Sequence, residues 1–398
     1  MSVRIIEIAD RSGAERELRA VGCDPAGVRL MAPKSVFRVV KAAGLRPAAA
    51  NILKQEMLSF GGEAATAYGA IVHSVRTTDV LIAGTLKQFG LLIEKLKQHQ
   101  FGLPELSGEI AACLRRDEGA PVPLKVGPRT FSFGRRTYIM GILNVTPDSF
   151  SDGGKFSDPG AAIGHARQMA AEGADIIDVG GESTRPGAAP VSEREEIGRV
   201  VPVIKALARE RLAVSIDTRK ARVAQAALEA GARLVNDVSG LRFDKNMAGV
   251  VARHKVPVCL MHMKGTPKTM QKNPVYSDLI GEIIASLAGS LAIAKNAGIL
   301  LEKIIVDPGL GFGKTAAGNL EIVRRLREFR ALGRPVLVGP SRKSAIGAVL
   351  DLPPEERVEG TAALVALAIA NGADLVRVHD VKEMFRVARM TDAIVRRK

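Results

Sequence analysis

The repeating pattern that determines the fold is clearest in AVSIDTRKARVAQAALEAGARLVNDV, residues 213–238. A short apolar run ends at Asp217, a stretch with helical spacing follows from Lys220 to Ala230, and a second apolar run ends at Asp237. Short runs rich in Val and Ile, each followed by a helix, are typical of buried parallel strands. This stretch therefore predicts a strand, a helix and a second strand parallel to the first.

The same pattern recurs from Tyr138 to the end of the chain. Its apolar runs end in polar residues, and these are Asn144, Asp178, Asp217, Asp237, His262, Asp307, Ser341 and Asp380. Eight strand–helix units in about 260 residues match a (β/α)8 TIM barrel, whereas an open doubly wound sheet normally has about five or six strands. The sequence therefore predicts an α/β protein whose TIM barrel occupies residues 137–398.

The 398-residue chain is long enough for a second module before the barrel. Strand-like runs at Val3–Ile8 and Val80–Ala83 alternate with helix-like runs, which predicts a small α/β domain over residues 1–118. Residues 119–136 are rich in Gly, Pro and basic side chains, which predicts a linker. The first part contains no motif that indicates a chemical function.

Composition excludes several classes of protein. The hydrophobic share of 46% and charged share of 25% indicate a folded globular chain rather than a disordered one. The first twenty residues are charged throughout, and the longest uncharged apolar stretch, Gly360–Ala373, is too short to span a bilayer. The three cysteines are far apart, without the spacing of a disulfide framework or a zinc site. We therefore expect a cytoplasmic protein with no membrane partner.

The formal charge of +15 raises the possibility of nucleic-acid binding. The excess is spread along the chain without a basic run, Trp is absent, and the few aromatic residues offer little surface for stacking bases. We therefore expect no nucleic-acid partner. Positive charge of this kind is either solvated surface or a means of attracting small anionic substrates to a cleft.

Polar residues at the predicted strand ends indicate where a functional site lies. Barrel enzymes place their chemistry at the carboxyl ends of the strands, where we expect Asp217, Asn236 and Asp307. Each of them alone could equally cap a helix. Together they match a flat heterocycle with several N–H donors, such as a purine or a pterin, because carboxylates accept hydrogen bonds and an amide both donates and accepts.

Two long loops follow the first and second predicted strands. The first, NVTPDSFSDGG at residues 144–154, offers Phe150 for a ligand and Asp152 for a hard cation, or is an ordinary surface loop. The second, GGESTRPGA, contains Thr184 and Arg185, which suit an anionic leaving group because guanidinium forms paired hydrogen bonds to phosphate oxygens. Alternatively, Arg185 is a charge at the rim.

Three later segments add candidate residues. DPGLGFGKT, residues 307–315, lacks the spacing of a Walker A loop, so we expect Phe312 and Lys314 to face a different ligand. GPSRKS, residues 339–344, offers Ser341 as a helix cap and two cations, Arg342 and Lys343. The last predicted strand places Arg377 and His379 on one side, as a pair of donors for phosphate. His262 fits a core histidine slightly better than a ligand-binding one.

The barrel region, from about Tyr138 to Lys398, resembles the dihydropteroate synthase family in NVTPDSFSDGG, DVGGESTRPGA, SIDTRKA, NDVSG, LMHMKGTPKTMQ, DPGLGFGKT, GPSRKS and RVHD. That family has a TIM barrel, is usually dimeric and uses Mg²⁺. It condenses (7,8-dihydropterin-6-yl)methyl diphosphate with 4-aminobenzoate, releasing diphosphate and forming dihydropteroate for folate synthesis. Its mechanism is regarded as SN1-like, which agrees with the lack of a nucleophile set in this sequence.

The resemblance implies a role for each matching position. Asn144 would contact the Mg²⁺–diphosphate, and Asp152, Thr184 and Arg185 would be catalytic residues of the two loops. The substrates would be held by Phe150, Thr184, Asp217, Asn236, Asp307, Phe312, Ser341, Lys343, Arg377 and His379. We expect a homodimer that takes the pterin diphosphate and 4-aminobenzoate as substrates.

Two other functions fit parts of the sequence. A corrinoid-linked methyltransferase barrel has a similar pterin-binding wall, but would lack the two long loops and SRKS that this chain contains. A non-catalytic pterin- or RNA-binding protein would explain the positive charge, but not the presence of Asn144, Arg185, Lys343 and His379 together. The only departure within the motifs is Arg219, for which we expect no effect on catalysis.

Overall fold

A computed structural model describes residues 2–145, 159–183, 190–266, 269–270 and 272–396. The chain divides at Gly119 into two compact units, Met1–Gly119 and Ala120–Lys398. Each unit has a hydrophobic core of its own.

The first unit is a small α/β domain, as predicted. Its elements are α1 Arg11–Ala20, α2 Pro25–Met31, β1 Phe37–Leu45, α3 Pro47–Ser59, β2 Glu63–Thr66, β3 Thr78–Thr85, α4 Leu86–Leu96 and α5 Leu103–Glu118. The strands form an antiparallel sheet in the order β1-β3-β2. Strand β1 was not predicted, whereas the predicted strand Val3–Ile8 has no regular structure, because Val3 and Ile5 are fully exposed and contribute nothing to a core.

The second unit contains a two-stranded hairpin followed by alternating strands and helices. Its elements are β4 Leu124–Val126, β5 Arg129–Phe131, β6 Tyr138–Asn144, α6 Pro159–Glu172, β7 Ile176–Gly180, α7 Glu193–Arg209, β8 Val214–Asp217, α8 Ala221–Ala230, β9 Leu234–Asp237, α9 Met247–His254, β10 Val258–Met261, α10 Leu279–Asn296, β11 Ile304–Asp307, α11 Ala316–Arg324, β12 Leu337–Val338, α12 Ser344–Leu350, α13 Val358–Ala370, β13 Leu375–Val378 and α14 Val381–Val395.

Strands β6 to β13 form a single parallel sheet in the order β11-β10-β9-β8-β7-β6-β13-β12. A parallel bridge between Val306 and Val336 joins its two ends, and the Val306 N–H donates to the carbonyl of Pro335 over 2.9 Å. The sheet is therefore a closed eight-stranded barrel with helices outside it, which confirms the predicted TIM barrel.

The expected linker at residues 119–136 is largely part of the second unit. Strands β4 and β5 pair as an antiparallel hairpin within this stretch. Leu124, Val126 and Phe131 are buried in one cluster with residues from the barrel strands, such as Ile176 and Leu375. Gly127 and Pro128 of this stretch form the tight turn between β4 and β5, in which Gly127 has a φ of +57°.

Alternation along the barrel strands separates an apolar layer from a polar one inside the barrel. Successive side chains of a strand point to opposite faces, so residues two apart share a face. Ile176 and Leu375 belong to the apolar layer beside the hairpin. Asp178 and Arg377, two residues further along the same strands, lie on the same face nearer the carboxyl ends, and they contact each other. The polar layer is thus built into the strands.

Helix α10 is long and apolar enough to cross a membrane when judged by length and composition alone. In the barrel it is one of the outer helices, and Ile280, Ile283 and Leu287 are buried in the core between helices and sheet. These contacts explain its apolar composition without a membrane.

Candidate functional site

Asp178 forms the floor of the polar layer. Its side chain is completely buried and accepts hydrogen bonds from Ser215 Oγ at 2.5 Å, Asn236 Nδ2 at 2.9 Å and Arg377 Nε at 2.6 Å. The donors come from strands β8, β9 and β13, so one carboxylate ties three strands together. Asp178 thereby fixes the orientation of two residues that the sequence placed in the substrate site, Asn236 and Arg377.

Asp217 lies beside this floor at the end of β8. Its Oδ2 accepts a 2.6 Å hydrogen bond from Arg377 Nη2, but its Oδ1 is buried and has no hydrogen-bond partner among the described residues. Burial raises the pKa of Asp217 to about 7, with the neighbouring Asp178 acting in the same direction and Arg377 opposing both. An unpartnered buried oxygen is costly, so this carboxylate is poised to accept a donor from a ligand.

Asp307 lies at the end of β11, next to a glycine-rich turn. Its Oδ1 accepts the N–H of Gly309 over 2.7 Å, and burial raises its pKa to about 6 although Lys343 and Lys314 act to lower it. Gly309 has a φ of +73°, and a Cβ there would collide with the carbonyl oxygen of His262. Only glycine allows the turn to pass this close while donating to Asp307.

Lys343 and Phe312 pair on the same side of the site. The Lys343 ammonium lies 4.4 Å from the centre of the Phe312 ring, a distance at which a cation and an aromatic face attract. Burial lowers the pKa of Lys343 to about 8, Arg377 adds to this, and Asp307 and Asp217 partly offset it. Phe312 and Lys343, each of which the sequence places separately among the substrate-binding residues, thus contact each other.

Ser341 and His379 form a second pair, at the ends of β12 and β13. Ser341 Oγ and His379 Nδ1 are 2.9 Å apart, and the backbone N–H of His379 donates to the same hydroxyl at 3.2 Å. The prediction that Ser341 caps the following helix is wrong, because α12 begins after Lys343 and has no side-chain cap. Burial and the neighbouring cations lower the pKa of His379 to about 3, so its imidazole is neutral.

Two cations predicted to face a ligand are engaged elsewhere. The Lys314 ammonium donates to the carbonyls of His262, Gly309 and Phe312 and lies 2.9 Å from His262 Nδ1. Arg342 forms a paired contact with Asp380 at 3.1 and 2.5 Å. The prediction that they face a ligand is therefore wrong: Lys314 supports the turn and gives His262 its partner, and Arg342 is neutralised.

The remaining predicted residues belong to the segments after β6 and β7. Asn144 ends β6, and both its Oδ1 and Asp217 Oδ2 lie 3.7 Å from the point where Gly180 would carry a Cβ. Asn144 thus belongs to the same end of the barrel as Asp217. Phe150, Asp152, Thr184 and Arg185 lie outside the described residues.

Asp178 and Ser215 belong to the site, although the sequence analysis assigns neither of them a role in it. Both are polar residues within otherwise apolar strands, two positions beyond the apolar residues Ile176 and Ala213 of the layer beside the hairpin. A buried polar residue inside a strand was the available signal. For Asp178, which ends one of the predicted apolar runs, the sequence indicates a strand end but not the three donors that the fold brings to it.

The described residues contain no group of three or more His, Cys, Asp or Glu side chains that could hold a metal ion. Cys259 of β10 is fully buried, and burial raises the pKa of its thiol well above the usual value, so it stays protonated and unreactive. The site therefore offers acceptors, two cations and a neutral imidazole, but no activated nucleophile among the described residues.

A cavity of about 760 Å³ lies at the opposite end of the barrel, next to the residues that precede β8 to β11. Its lining is rich in basic side chains, but Arg233 donates to the carbonyls of Leu228 and Ala232, and Lys303 donates to that of Lys255. These contacts satisfy carbonyls at the ends of α8 and α9, where cations are favourable. Arg233 and Lys303 of this lining thus have a structural role.

Comparisons with known proteins agree with this geometry. The family model described as "Pterin binding enzyme" matches residues 140–379. A dihydropteroate synthase from Clostridium beijerinckii is 55% identical over 276 residues, which cover 69% of this chain and all of the relative. A structure of this enzyme from Clostridium difficile with pteroic acid is 52% identical and covers 67% of this chain and all of that one, with a TM-score of 0.63. One from Xanthomonas albilineans with 4-aminobenzoic acid is 42% identical and covers 69% and 98%, with a TM-score of 0.65.

Proposed function

The chain belongs to the pterin-binding enzyme family, where it is a dihydropteroate synthase, and we propose how its residues carry out the reaction. The enzyme joins the methylene carbon of (7,8-dihydropterin-6-yl)methyl diphosphate to the amino nitrogen of 4-aminobenzoate. A C–O bond breaks, a C–N bond forms, diphosphate leaves and the amine loses a proton. The product, 7,8-dihydropteroate, enters folate biosynthesis.

The unpartnered oxygen of Asp217 carries the proposal for pterin binding. The amino-pyrimidinone edge of a pterin presents neighbouring N–H donors, which a buried carboxylate with a free oxygen can accept. Asn236, whose Nδ2 is already held by Asp178, offers its amide oxygen as a further acceptor. Asp307 ends β11, which is separated in the sheet from the β9 strand of Asn236 by β10. It accepts a hydrogen bond from the other side of the pterin ring.

Lys343 and Phe312 support the same ring. The ammonium donates to an acceptor of the pterin, such as its carbonyl oxygen or a ring nitrogen, and the contact with Phe312 keeps it in position. Carboxylates on one side and an ammonium on the other match a heterocycle with both donors and acceptors. This distribution of charge also favours an electron-rich pterin that can stabilise a positive charge on its exocyclic carbon.

Arg377 and His379 bind the diphosphate in this proposal. Two nitrogens of Arg377 are committed to Asp178 and Asp217, and its Nη1 has no hydrogen bond among the described residues. His379 uses Nδ1 for Ser341, which leaves Nε2 for a phosphate oxygen. Ser341, with residues of the two loops, borders the position of 4-aminobenzoate.

We propose an SN1-like order in which the diphosphate leaves before the amine attacks. The lack of an activated nucleophile among the described residues supports this order, because the described protein groups are suited to positioning substrates and stabilising charge. Asp152, Thr184 and Arg185 act on the departing diphosphate and the incoming amine. The carboxylates of Asp217 and Asp307 face the positive charge that develops on the pterin.

The donor set fits a Mg²⁺ ion that arrives with the substrate. Mg²⁺ usually keeps several waters and binds through one or two protein oxygens together with substrate phosphates, so it needs no cage of protein ligands. Asn144 Oδ1 provides such an oxygen near Asp217. When bound, the ion neutralises charge on the leaving diphosphate. Two further proposals are a homodimer, which rests on the resemblance, and a cytoplasmic location, which rests on the composition of the sequence.

One experiment tests the activity and its order of steps. The enzyme is incubated with Mg²⁺, labelled 4-aminobenzoate and pterin diphosphate. The pterin diphosphate carries ¹⁸O in the bridging oxygen between its methylene carbon and the first phosphorus. We expect labelled dihydropteroate, its loss with EDTA and recovery with Mg²⁺, and scrambling of the bridging ¹⁸O when 4-aminobenzoate is replaced by benzoate. No product above a no-enzyme blank would refute the assignment, and product formation without scrambling would refute the SN1-like order.

A further inference from the structure

A buried cluster of charged groups lies beside the segment that connects β7 to α7. We call it the Lys220 cluster, and its members are Glu182, Val191, Glu196, Thr218 and Lys220. The Glu196 side chain is fully buried, and those of Glu182 and Lys220 are 7% and 11% exposed. None of these residues belongs to the pterin-binding group described above.

The ammonium of Lys220 forms the centre of the cluster. It donates to the carbonyl of Val191 at 2.6 Å and to Glu196 Oε2 at 2.7 Å, and it lies 3.2 Å from Glu182 Oε2. The three acceptors come from the exit of β7, the approach to α7 and the first turn of α7. The Lys220 side chain, which comes from the segment after β8, therefore links the residues on both sides of the segment between β7 and α7.

Glu182 and Glu196 each accept one further hydrogen bond within the cluster. Glu182 Oε1 accepts the N–H of Val191 over 3.1 Å, so the residues on either side of 184–189 are joined directly as well as through Lys220. Glu196 Oε1 accepts from Thr218 Oγ1 over 2.7 Å, which fastens the first turn of α7 to the end of β8. Thr218 follows Asp217, so the cluster is anchored to the pterin site.

Stability alone does not account for such a cluster. Removing charges from water costs several kcal/mol per ion, and buried ion pairs are often no more stabilising than apolar side chains of similar size. The Arg219 guanidinium also lies 3.7 Å from Glu182 Oε1, so two carboxylates are offset by two cations in a largely buried place. What the arrangement does provide is a fixed distance between the residues that flank 184–189.

We propose that Lys220 is a positioning residue for the transferase reaction. Its ammonium holds Glu182 and Val191, the residues that flank 184–189, at a fixed separation, and the reaction depends on this separation because Thr184 and Arg185 belong to that stretch. This inference rests on the proposed function, in which Thr184 and Arg185 act on the departing diphosphate and the incoming amine. A displacement of about 1 Å in a positioned catalytic group can lower a rate by about a hundredfold.

The test uses the full-length double variant Lys220→Met/Glu196→Gln. Lys220→Met alone would leave the buried carboxylate of Glu196 without its cation, whereas Glu182 would keep Arg219, and the uncompensated charge would destabilise the fold. The second change removes one negative charge, so the net charge near Asp217 stays the same while the contact with Val191 is lost. Lys220→Arg restores the cation, and Lys205→Met removes an exposed lysine of α7 as the matched control.

Three quantities separate positioning from simple destabilisation: kcat, KM for 4-aminobenzoate, and Kd for 6-hydroxymethyl-7,8-dihydropterin by calorimetry. In the double variant we expect kcat/KM for 4-aminobenzoate to fall by about a hundredfold. We expect the pterin Kd to change by less than about twofold, because the pterin contacts are untouched. Lys220→Arg should recover part of the activity, and Lys205→Met should match the wild type.

Several outcomes would overturn the inference. Wild-type kcat and KM in the double variant would show that the ties are dispensable. Equal losses of pterin affinity and of activity would indicate a general structural role, as would a loss that follows the folded fraction measured by circular dichroism. If the wild type itself makes no dihydropteroate, the proposed function fails instead, so the two failures can be told apart.

Discussion

Replacing Asp178 by Asn tests whether the floor of the polar layer is as important as its contacts indicate. Asn has the same shape and keeps one oxygen that can accept from Ser215. Its NH₂ group, however, would meet two donors, Asn236 Nδ2 and Arg377 Nε, at the position of the present Oδ2. The variant therefore loses one charge and two hydrogen bonds without creating space.

The magnitude follows from burial. Breaking a buried ion pair by removing one partner costs about 3–5 kcal/mol, and we expect the lower end because Arg377 keeps its contact with Asp217. For a domain of this size each kcal/mol lowers Tm by about 2–4 °C, so a loss of about 3 kcal/mol lowers Tm by about 6–12 °C. Pterin binding should weaken by about 1–3 kcal/mol, roughly 5- to 150-fold, because Asn236 and Arg377 lose their common anchor.

The assay is thermal unfolding followed by circular dichroism, together with calorimetric titration of 6-hydroxymethyl-7,8-dihydropterin. Asp351→Asn is the matched control, since Asp351 is exposed and has a φ of +54°, a conformation that Asn tolerates. Its Tm should lie within about 2 °C of the wild type. An Asp178→Asn variant with unchanged Tm and unchanged pterin affinity would refute the reasoning.

The remaining predictions concern the pterin-binding residues themselves. Lys343→Met should weaken pterin binding by about 1–3 kcal/mol, because the pterin acceptor then has no donor; an unchanged Kd by calorimetry would place Lys343 outside the site. Pterin affinity should also fall as the pH drops below 7, by about tenfold per unit, because protonation of Asp217, whose pKa burial raises to about 7, removes an acceptor. Asp217→Asn should bind more weakly at pH 8 and lose most of this pH dependence, and an equal slope in both proteins would contradict the assignment.

Most of the barrel could be predicted from the sequence because its signal is local. Each strand is a short apolar run followed by a polar residue and a helix, and all eight predicted runs contain a strand. Prediction failed where the same local composition is compatible with two different structures. The Gly- and Pro-rich stretch at 119–136 reads as a linker, but Leu124, Val126 and Phe131 within it find a core to join. The opposite holds for Val3–Ile8, which has strand-like composition and no core.

The members of the site were easier to predict than their connections. The strand-end pattern predicts Asp217, Asn236 and Asp307, and two later motifs predict Lys343 and Arg377. The structure brings all five to one end of the barrel. The sequence predicts Lys314 and Arg342 as cations for a ligand, because a sequence shows a charge but not its partner. Their partners are backbone carbonyls and Asp380, which only the fold brings within reach.

The sequence by itself determined which residues the barrel places at one end, since alternation along each strand and the order of strand and helix are properties of neighbouring residues. Only the tertiary structure decided which of those charged side chains form ion pairs with each other. Arg377 binds Asp178 and Asp217, which precede it by 199 and 160 positions, and it does so because barrel closure brings β13 beside β6 and across from β8. Within the part of the chain that the structure describes, that pairing leaves one oxygen of Asp217 without a partner. The vacant acceptor, and with it the capacity to bind a ligand, is a consequence of closure that no local pattern encodes.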